Sequence, residues 1–232
     1  MKKYLRAFYF FLLPSCFFNL FRHSKGKIRI GFSFILTDEF FMGAGANIGH
    51  FNFIFVHKLY LDEKSRIGAF NFLRGKFDVE LGVKSAIKKF NKITSDKFPY
   101  KRRVLKVGYN TVLGMNTVID MTSSVTLGNY SILAGLGTQL WTHGFYHSKT
   151  GEKRWRIDGE VIIGDNVYIG SRSVICAGVK IGDAVTVGAN SVVSKDLCES
   201  GLYVNQALRY IEFDPDEAIT KLRKVAEYIY EK

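Results

Sequence analysis

Residues 161–196 read VIIGDNVYIGSRSVICAGVKIGDAVTVGANSVVSKD. A branched aliphatic residue returns at every sixth position of this stretch: Ile163, Ile169, Ile175, Ile181, Val187 and Val193. The residue after each is small (Gly164, Gly170, Cys176, Gly182, Gly188, Ser194), and the fourth after each is apolar or small (Val167, Ser173, Val179, Val185, Ser191, Leu197). A helix repeats its apolar positions near 3.6 residues and a half-buried strand at 2, so neither alone explains a period of six. The period fits a chain winding through short flat strands, three to a coil, with the aliphatic side chains stacked inside a prism and small residues at its corners. An all-β solenoid follows.

The same period runs backwards through the chain. Val107, Leu113 and Ile119 form one series, and Leu127, Leu133 and Gln139 another; Ile119 to Leu127 takes two extra residues, which a corner near Ser123 and Ser124 has to absorb. Upstream come Ile30, Leu36, Met42, Ile48 and Ile54, then Leu61, Ile67, Leu73 and Val79, then Leu81, Ile87 and Ile93. Three segments are expected: an apolar N-terminal stretch over 1–27, the coil stack over 28–198 with a loop at 143–160, and a tail over 199–232. The tail places Ile219, Leu222, Ala226 and Ile229 on one helical face behind Asp214 as N-cap, which predicts a C-terminal α-helix covering the open end of the stack.

The chain of 232 residues carries a formal charge of +12. Residues 1–37 hold Lys2, Lys3, Arg6, Arg22, Lys25, Lys27 and Arg29 with no acid, and residues 84–106 hold nine Lys or Arg against Asp96 alone. Such basicity suits a phosphate-bearing ligand or an anionic membrane surface. No nucleic-acid recognition motif accompanies it, so nucleic acid is not an expected partner. Residues 4–21, YLRAFYFFLLPSCFFNLF, are aromatic and apolar but interrupted by Arg6, Pro14 and Asn19. They are read three ways: a helix in the membrane interface, a helix packed on the repeat, or a spanning segment. Cys16, Cys176 and Cys198 have no paired spacing and are expected as buried, reduced thiols in a cytoplasmic protein, one that could sit at the inner face of the membrane.

Two stretches break the repeat: the basic residues 91–106, with Pro99, and residues 143–159, HGFYHSKTGEKRWRIDG, polar and rich in turn formers. Loops ejected from a rigid stack are where chemistry is carried, because the stack supplies position. His143 stands at the junction of coil and loop.

With the 161–196 run, the preceding LWTHGF and the loop, the chain resembles the hexapeptide-repeat acyltransferases, and most closely the branch that acetylates sugars. The resemblance rests on Thr142-His143-Gly144, on Val193-Ser194-Lys195-Asp196, and on residues 204–211, where Gln206 departs from the expected proline. It implies a left-handed parallel β-helix, a homotrimer, and acetyl-CoA bound in clefts between subunits. It implies His143 as the base that takes the acceptor's proton, Ser171 and Ala189 against the pantetheine arm, and Ser194, Lys195 and Arg209 near the cofactor phosphates. The chemistry agrees: a sugar hydroxyl is a poor nucleophile at neutral pH, and an imidazole with its ordinary pKa near ~6.5 can take up and return the proton. Asp120, in the preceding coil, is a candidate to orient that imidazole. Asn116, His147 and Trp155, with Arg154, are candidates for the carbohydrate acceptor; His23, His50 and His57 read as structural or surface residues.

The expected activity is therefore acetyl-CoA-dependent O-acetylation of a sugar hydroxyl in surface polysaccharide or lipopolysaccharide synthesis. N-acylation of an amino-sugar nucleotide and a non-catalytic β-helix scaffold are the alternatives. A zinc lyase on the same helix needs three converging histidines, which this sequence does not space for, so no metal is expected.

Overall fold

A computed structural model describes residues 28–96, 101–205, 217, 220–226 and 229–231. The stack is a left-handed parallel β-helix of about nine coils, each crossing three faces. Aliphatic residues pair in register up each face. On the first, Ile30, Ile48, Ile67, Ile87, Leu113, Leu133, Ile169 and Val187 follow one another, ending at Tyr203. The second stacks Ile35, Ile54, Leu73, Ile93, Ile119, Leu140, Ile175 and Val193. The third stacks Met42, Leu61, Leu81, Val107, Leu127, Ile163 and Ile181. These side chains form one continuous core, and burying each contributes on the order of 1.5–3 kcal/mol.

The corners differ from one another. From the third face to the first, core positions are always six apart, as in Leu61 to Ile67 or Leu127 to Leu133. From the first to the second the spacing is six in nearly every coil. In most coils both corners turn through one left-handed residue, such as Asn116 (φ 53°) and Asn166 (φ 56°). Inside the first-to-second corner Asn52, Asn71 and Asn91 form a buried ladder in which each Oδ1 accepts from the next residue's backbone N–H, ending at Thr117. That ladder satisfies polar groups the core cannot.

The corner from the second face to the third takes all the large insertions. It is short between Ile175 and Ile181, longer between Ile119 and Leu127 where Thr122 and Ser123 are buried, longer again between Ile93 and Val107, and longest between Leu140 and Ile163. In the first two coils it is not a turn at all: Phe34–Met42 and Phe53–Leu61 run through it as unbroken strands, which joins the second and third faces into one thirteen-stranded sheet beside the nine-stranded first face.

Several expectations are corrected. Ile35 rather than Leu36, and Leu140 rather than Gln139, point inward. At the second of these the register shifts beside Met115, and Gly135 and Gly137 take positive φ, which accommodates one extra residue at an otherwise regular corner. The polar stretch after the last of these coils is an antiparallel hairpin, His143–His147 against Arg154–Asp158, rather than a loop without order. Cys176 is half-buried at the edge of the aliphatic core, against which it packs, and Cys198 is exposed. Arg223–Ala226 and Ile229–Glu231 pair as a second antiparallel hairpin, so the helical face drawn through Leu222, Ala226 and Ile229 does not form. Val225, Ile229 and Tyr230 favour strand over helix, and a short helix without a packing partner is marginal. The apolar stretch at 1–27 with Cys16 and His23, and Asp214 and Ile219 of the tail, lie outside the described residues. Among the described residues no helix is long and apolar enough to cross a membrane.

Candidate active site

His143 is the first residue of the hairpin that leaves the variable corner, and Asp120 ends the strand Val118–Asp120 directly beneath it. The imidazole Nδ1 lies 2.7 Å from Asp120 Oδ2. The carboxylate is almost fully buried and heavily bonded. Its Oδ2 also accepts from the Thr142 backbone N–H at 3.0 Å and hydroxyl at 2.7 Å, and its Oδ1 from the Thr122 hydroxyl at 2.8 Å and backbone N–H at 3.2 Å. The Thr142 hydroxyl in turn accepts from Ser123 N–H at 2.8 Å. Burial pushes the Asp120 carboxyl up, but the hydrogen bonds from His143, Thr142 and Thr122 outweigh it and hold the group below the usual carboxylate range.

An ionised Asp120 is acceptor only, so His143 Nδ1 must carry a proton and donate it. The neutral ring then has its lone pair on Nε2. About a quarter of the His143 side chain is exposed, and the ring is flanked edge-on by Trp141 and Phe145. The arrangement is an oriented imidazole with an outward-facing base.

The hairpin is held down by a second polar cluster. Arg156 pairs with Asp96 and with Asp158, and Asp96 also pairs with the wholly buried side chain of Arg103. Asp158 stands opposite His143 in the hairpin register. None of Thr122, Thr142, Asp96, Arg103 and Asp158 is recognisable as site-forming from spacing alone. The irregular interval between Ile119 and Leu127 is the available signal for the two threonine contacts.

The remaining candidates do not gather around His143 within one chain. Alternation along the strands puts Phe145, His147, Arg154 and Arg156 on the same hairpin face as His143, and Tyr146, Trp155 and Ile157 on the other. His147 is four residues farther along an extended strand, roughly 13 Å away. Asn116 is exposed at the far edge of the second face, also four residues from Asp120, in the left-handed turn conformation asparagine favours. Ser171 and Ala189 lie at that same far corner in successive coils. They are closely stacked there, because a Cβ on Gly170 would fall 2.5 Å from the Ala189 backbone nitrogen. Ser194 and Lys195 share the variable corner with His143 but two coils farther on, beside Leu197 and Tyr203. Arg209 lies outside the described residues.

A family profile described as bacterial transferase hexapeptide, six repeats, matches residues 160–195. A protein of Bacillus subtilis (strain 168) named "Putative acetyltransferase YvoF" is 31% identical over 125 residues, 53% of this chain and 68% of that protein. The chain belongs to the hexapeptide-repeat acyltransferases. Solved structures of similar fold include one titled as the polySia specific acetyltransferase NeuO, 19% identical with a TM-score of 0.51 over 82% of this chain and 83% of that one. Another is a hexapeptide-repeat acetyltransferase of Vibrio cholerae O1 biovar eltor complexed with acetyl-CoA, 25% identical with a TM-score of 0.38 over 58% and 69% of the two chains. In this hexapeptide-repeat acyltransferase the histidine at the hairpin's foot is partly exposed and held by a buried carboxylate.

Proposed function

We propose that this acyltransferase moves an acetyl group from acetyl-CoA to a sugar hydroxyl, in the cytoplasmic synthesis of a surface polysaccharide or lipopolysaccharide. The observation that carries the reading is the contact of 2.7 Å between His143 Nδ1 and Asp120. It fixes the tautomer with Nε2 as base and stabilises the imidazolium that forms when that nitrogen takes a proton. The acceptor oxygen attacks the thioester carbon as its proton passes to Nε2. The C–S bond then breaks, and the imidazolium returns the proton to the leaving thiolate. The name of the YvoF relative supports acetyl as the group transferred, and the NeuO fold is compatible with a glycan acceptor.

A homotrimer completes the site. Within one chain His143 and the pair Ser171 and Ala189 sit on different corners of the prism, and a donor bound in a cleft between neighbouring chains reaches both kinds of corner. The hairpin face bearing Tyr146 (67% exposed), Trp155 (54%) and Ile157 (42%) is apolar and uncovered, which suits packing on a neighbour. In this assembly Ser171 and Ala189 line the pantetheine arm, Ser194, Lys195 and Arg209 meet the phosphates, and Asn116 and His147 contact the acceptor, while Trp155, on the hairpin face away from His143, packs between subunits. The far-corner residues come from the adjacent subunit.

The test is release of free thiol from acetyl-CoA across a panel of sugar acceptors, comparing wild type with His143→Ala. Acceptor-dependent release that drops by about 10²-fold or more in the variant supports the reading. Equal rates in the two proteins remove His143 from the mechanism. Turnover restricted to amino-sugar nucleotides replaces O-acetylation by N-acylation.

A further inference from the structure

A second histidine–aspartate pair lies on the same corner of the prism. His57 Nδ1 is 2.7 Å from Asp78 Oδ1, and Asp78 is 2% exposed while the His57 side chain is half-exposed. The other carboxylate oxygen, Oδ2, accepts from Arg102 Nε and Nη2, both at 2.8 Å. As with His143, a buried carboxylate accepts a hydrogen bond from the Nδ1 proton, which leaves the ring's lone pair on Nε2. His57 lines a cavity of about 540 Å³ together with the apolar Leu36 and Phe55 and the basic Lys76 and Lys101. The lining also holds Asp38, Arg102, which pairs with Asp78, and the wholly buried Arg103, which pairs with Asp96.

The cavity is tied to the reaction centre. Asp78 opens the third-face strand two coils before that of the residues following Asp120, and each histidine lies one coil farther out, so at about 4.8 Å per coil the two carboxylates are roughly 10 Å apart and the two imidazoles roughly 19 Å apart along one edge. Lys101 of the lining pairs with Glu160 at the hairpin's base, and Arg103 pairs with Asp96, which also holds Arg156 of the hairpin.

We propose that the His57 cavity is a distal acceptor subsite for an acidic oligosaccharide, one that runs along this edge and presents its reacting hydroxyl at His143. The apolar Leu36 and Phe55 receive the C–H face of a sugar ring, His57 Nε2 receives a hydroxyl, and Lys76 and Arg102 face a carboxylate or phosphate. The proposal deepens the acetyltransferase reading and rests on it for the direction of the chain.

Binding and turnover separate the two. The probe is an array of acidic oligosaccharides, neutral oligosaccharides and their monosaccharides, read without acetyl-CoA on the His143→Ala protein. Retention of acidic oligosaccharides is expected, weakened about tenfold or more by adding His57→Ala or, as a surface change that leaves the Asp78 cluster intact, Lys76→Ala. In turnover by the otherwise wild-type enzyme, either change raises KM for acidic oligosaccharides far more than kcat falls. Unchanged array patterns in both variants, or no preference for acidic over neutral glycans, overturn the subsite while leaving the acetyltransferase reading standing. Loss of array binding in the variants together with no acetyl transfer to any retained glycan keeps the subsite and overturns the reaction.

Discussion

Asp120→Asn tests the site at its most heavily bonded atom pair. The carboxylate accepts from five donors: two from Thr122, two from Thr142 and one from His143. An amide of the same shape can keep only one oxygen. With that oxygen on the His143 side, the amide NH₂ meets Thr122, whose hydroxyl can turn to accept but whose backbone N–H at 3.2 Å cannot. The orientation of His143 then survives, but the negative charge that stabilises its protonated form is gone. A hydrogen bond to a charged partner contributes about 1.5–3 kcal/mol, so kcat/KM is expected to fall about 10- to 100-fold. With the amide reversed, the tautomer is wrong and the loss is larger. Thiol release from acetyl-CoA measures the rate, and urea unfolding measures the accompanying stability. The sign of the pH effect is fixed: the folded carboxyl sits below its ordinary value, so its stabilising contribution is complete above the unfolded value near ~4 and lost as pH falls through the folded one. The stability gap between wild type and Asp120→Asn should therefore close as pH drops from about 6 toward 3. A rate within about threefold of wild type, where His143→Ala loses 10²-fold, would refute the claim that this carboxylate serves the base.

Three other perturbations address the framework. Ile119→Ala empties a fully buried position in the second-face stack and should cost about 2–5 kcal/mol in chemical denaturation; a cost under about 1 kcal/mol would mean the stack is not packed as described. Asp96→Asn removes the carboxylate that Arg103 and Arg156 share and should destabilise the fold and loosen the hairpin, seen as faster amide exchange over residues 143–158. Trp155→Glu puts a charge on the uncovered hairpin face; light scattering should show a trimer reduced to monomer, with activity lost although His143 and Asp120 are untouched. A monomeric wild type that is fully active would defeat the shared cleft.

Much of the fold is legible in the chain because a prism interior accepts one kind of residue at one spacing. Ile163, Ile169, Ile175 and Ile181 announce that spacing, and two of the three corners keep it wherever a six-residue step closes one left-handed turn. The period misplaces Leu36 and Gln139 where a corner step is five or seven residues, since a period carries no information about which turn absorbs the difference. The histidine at the hairpin's foot is legible as a motif, and Asp120 as a carboxylate one coil away. Thr122 and Thr142 are not, because a threonine in a turn looks the same whether its hydroxyl meets water or a buried carboxylate. His57 reads as structural or surface for the same reason: its partner Asp78 is twenty-one residues away in sequence and adjacent only because one coil lies on the next.

The sequence by itself determined the coil, its three-sided interior and the histidine beside the interruption, since all are set by residue type at short, regular separation. The tertiary structure decided which corner varies, that the interruption is a hairpin clamped by Asp96, Arg103 and Arg156, and that two buried carboxylates each orient an imidazole on one edge. Those contacts join residues a coil or more apart, and the number of residues in a coil is set by how much chain each corner absorbs, which only the folded backbone reveals.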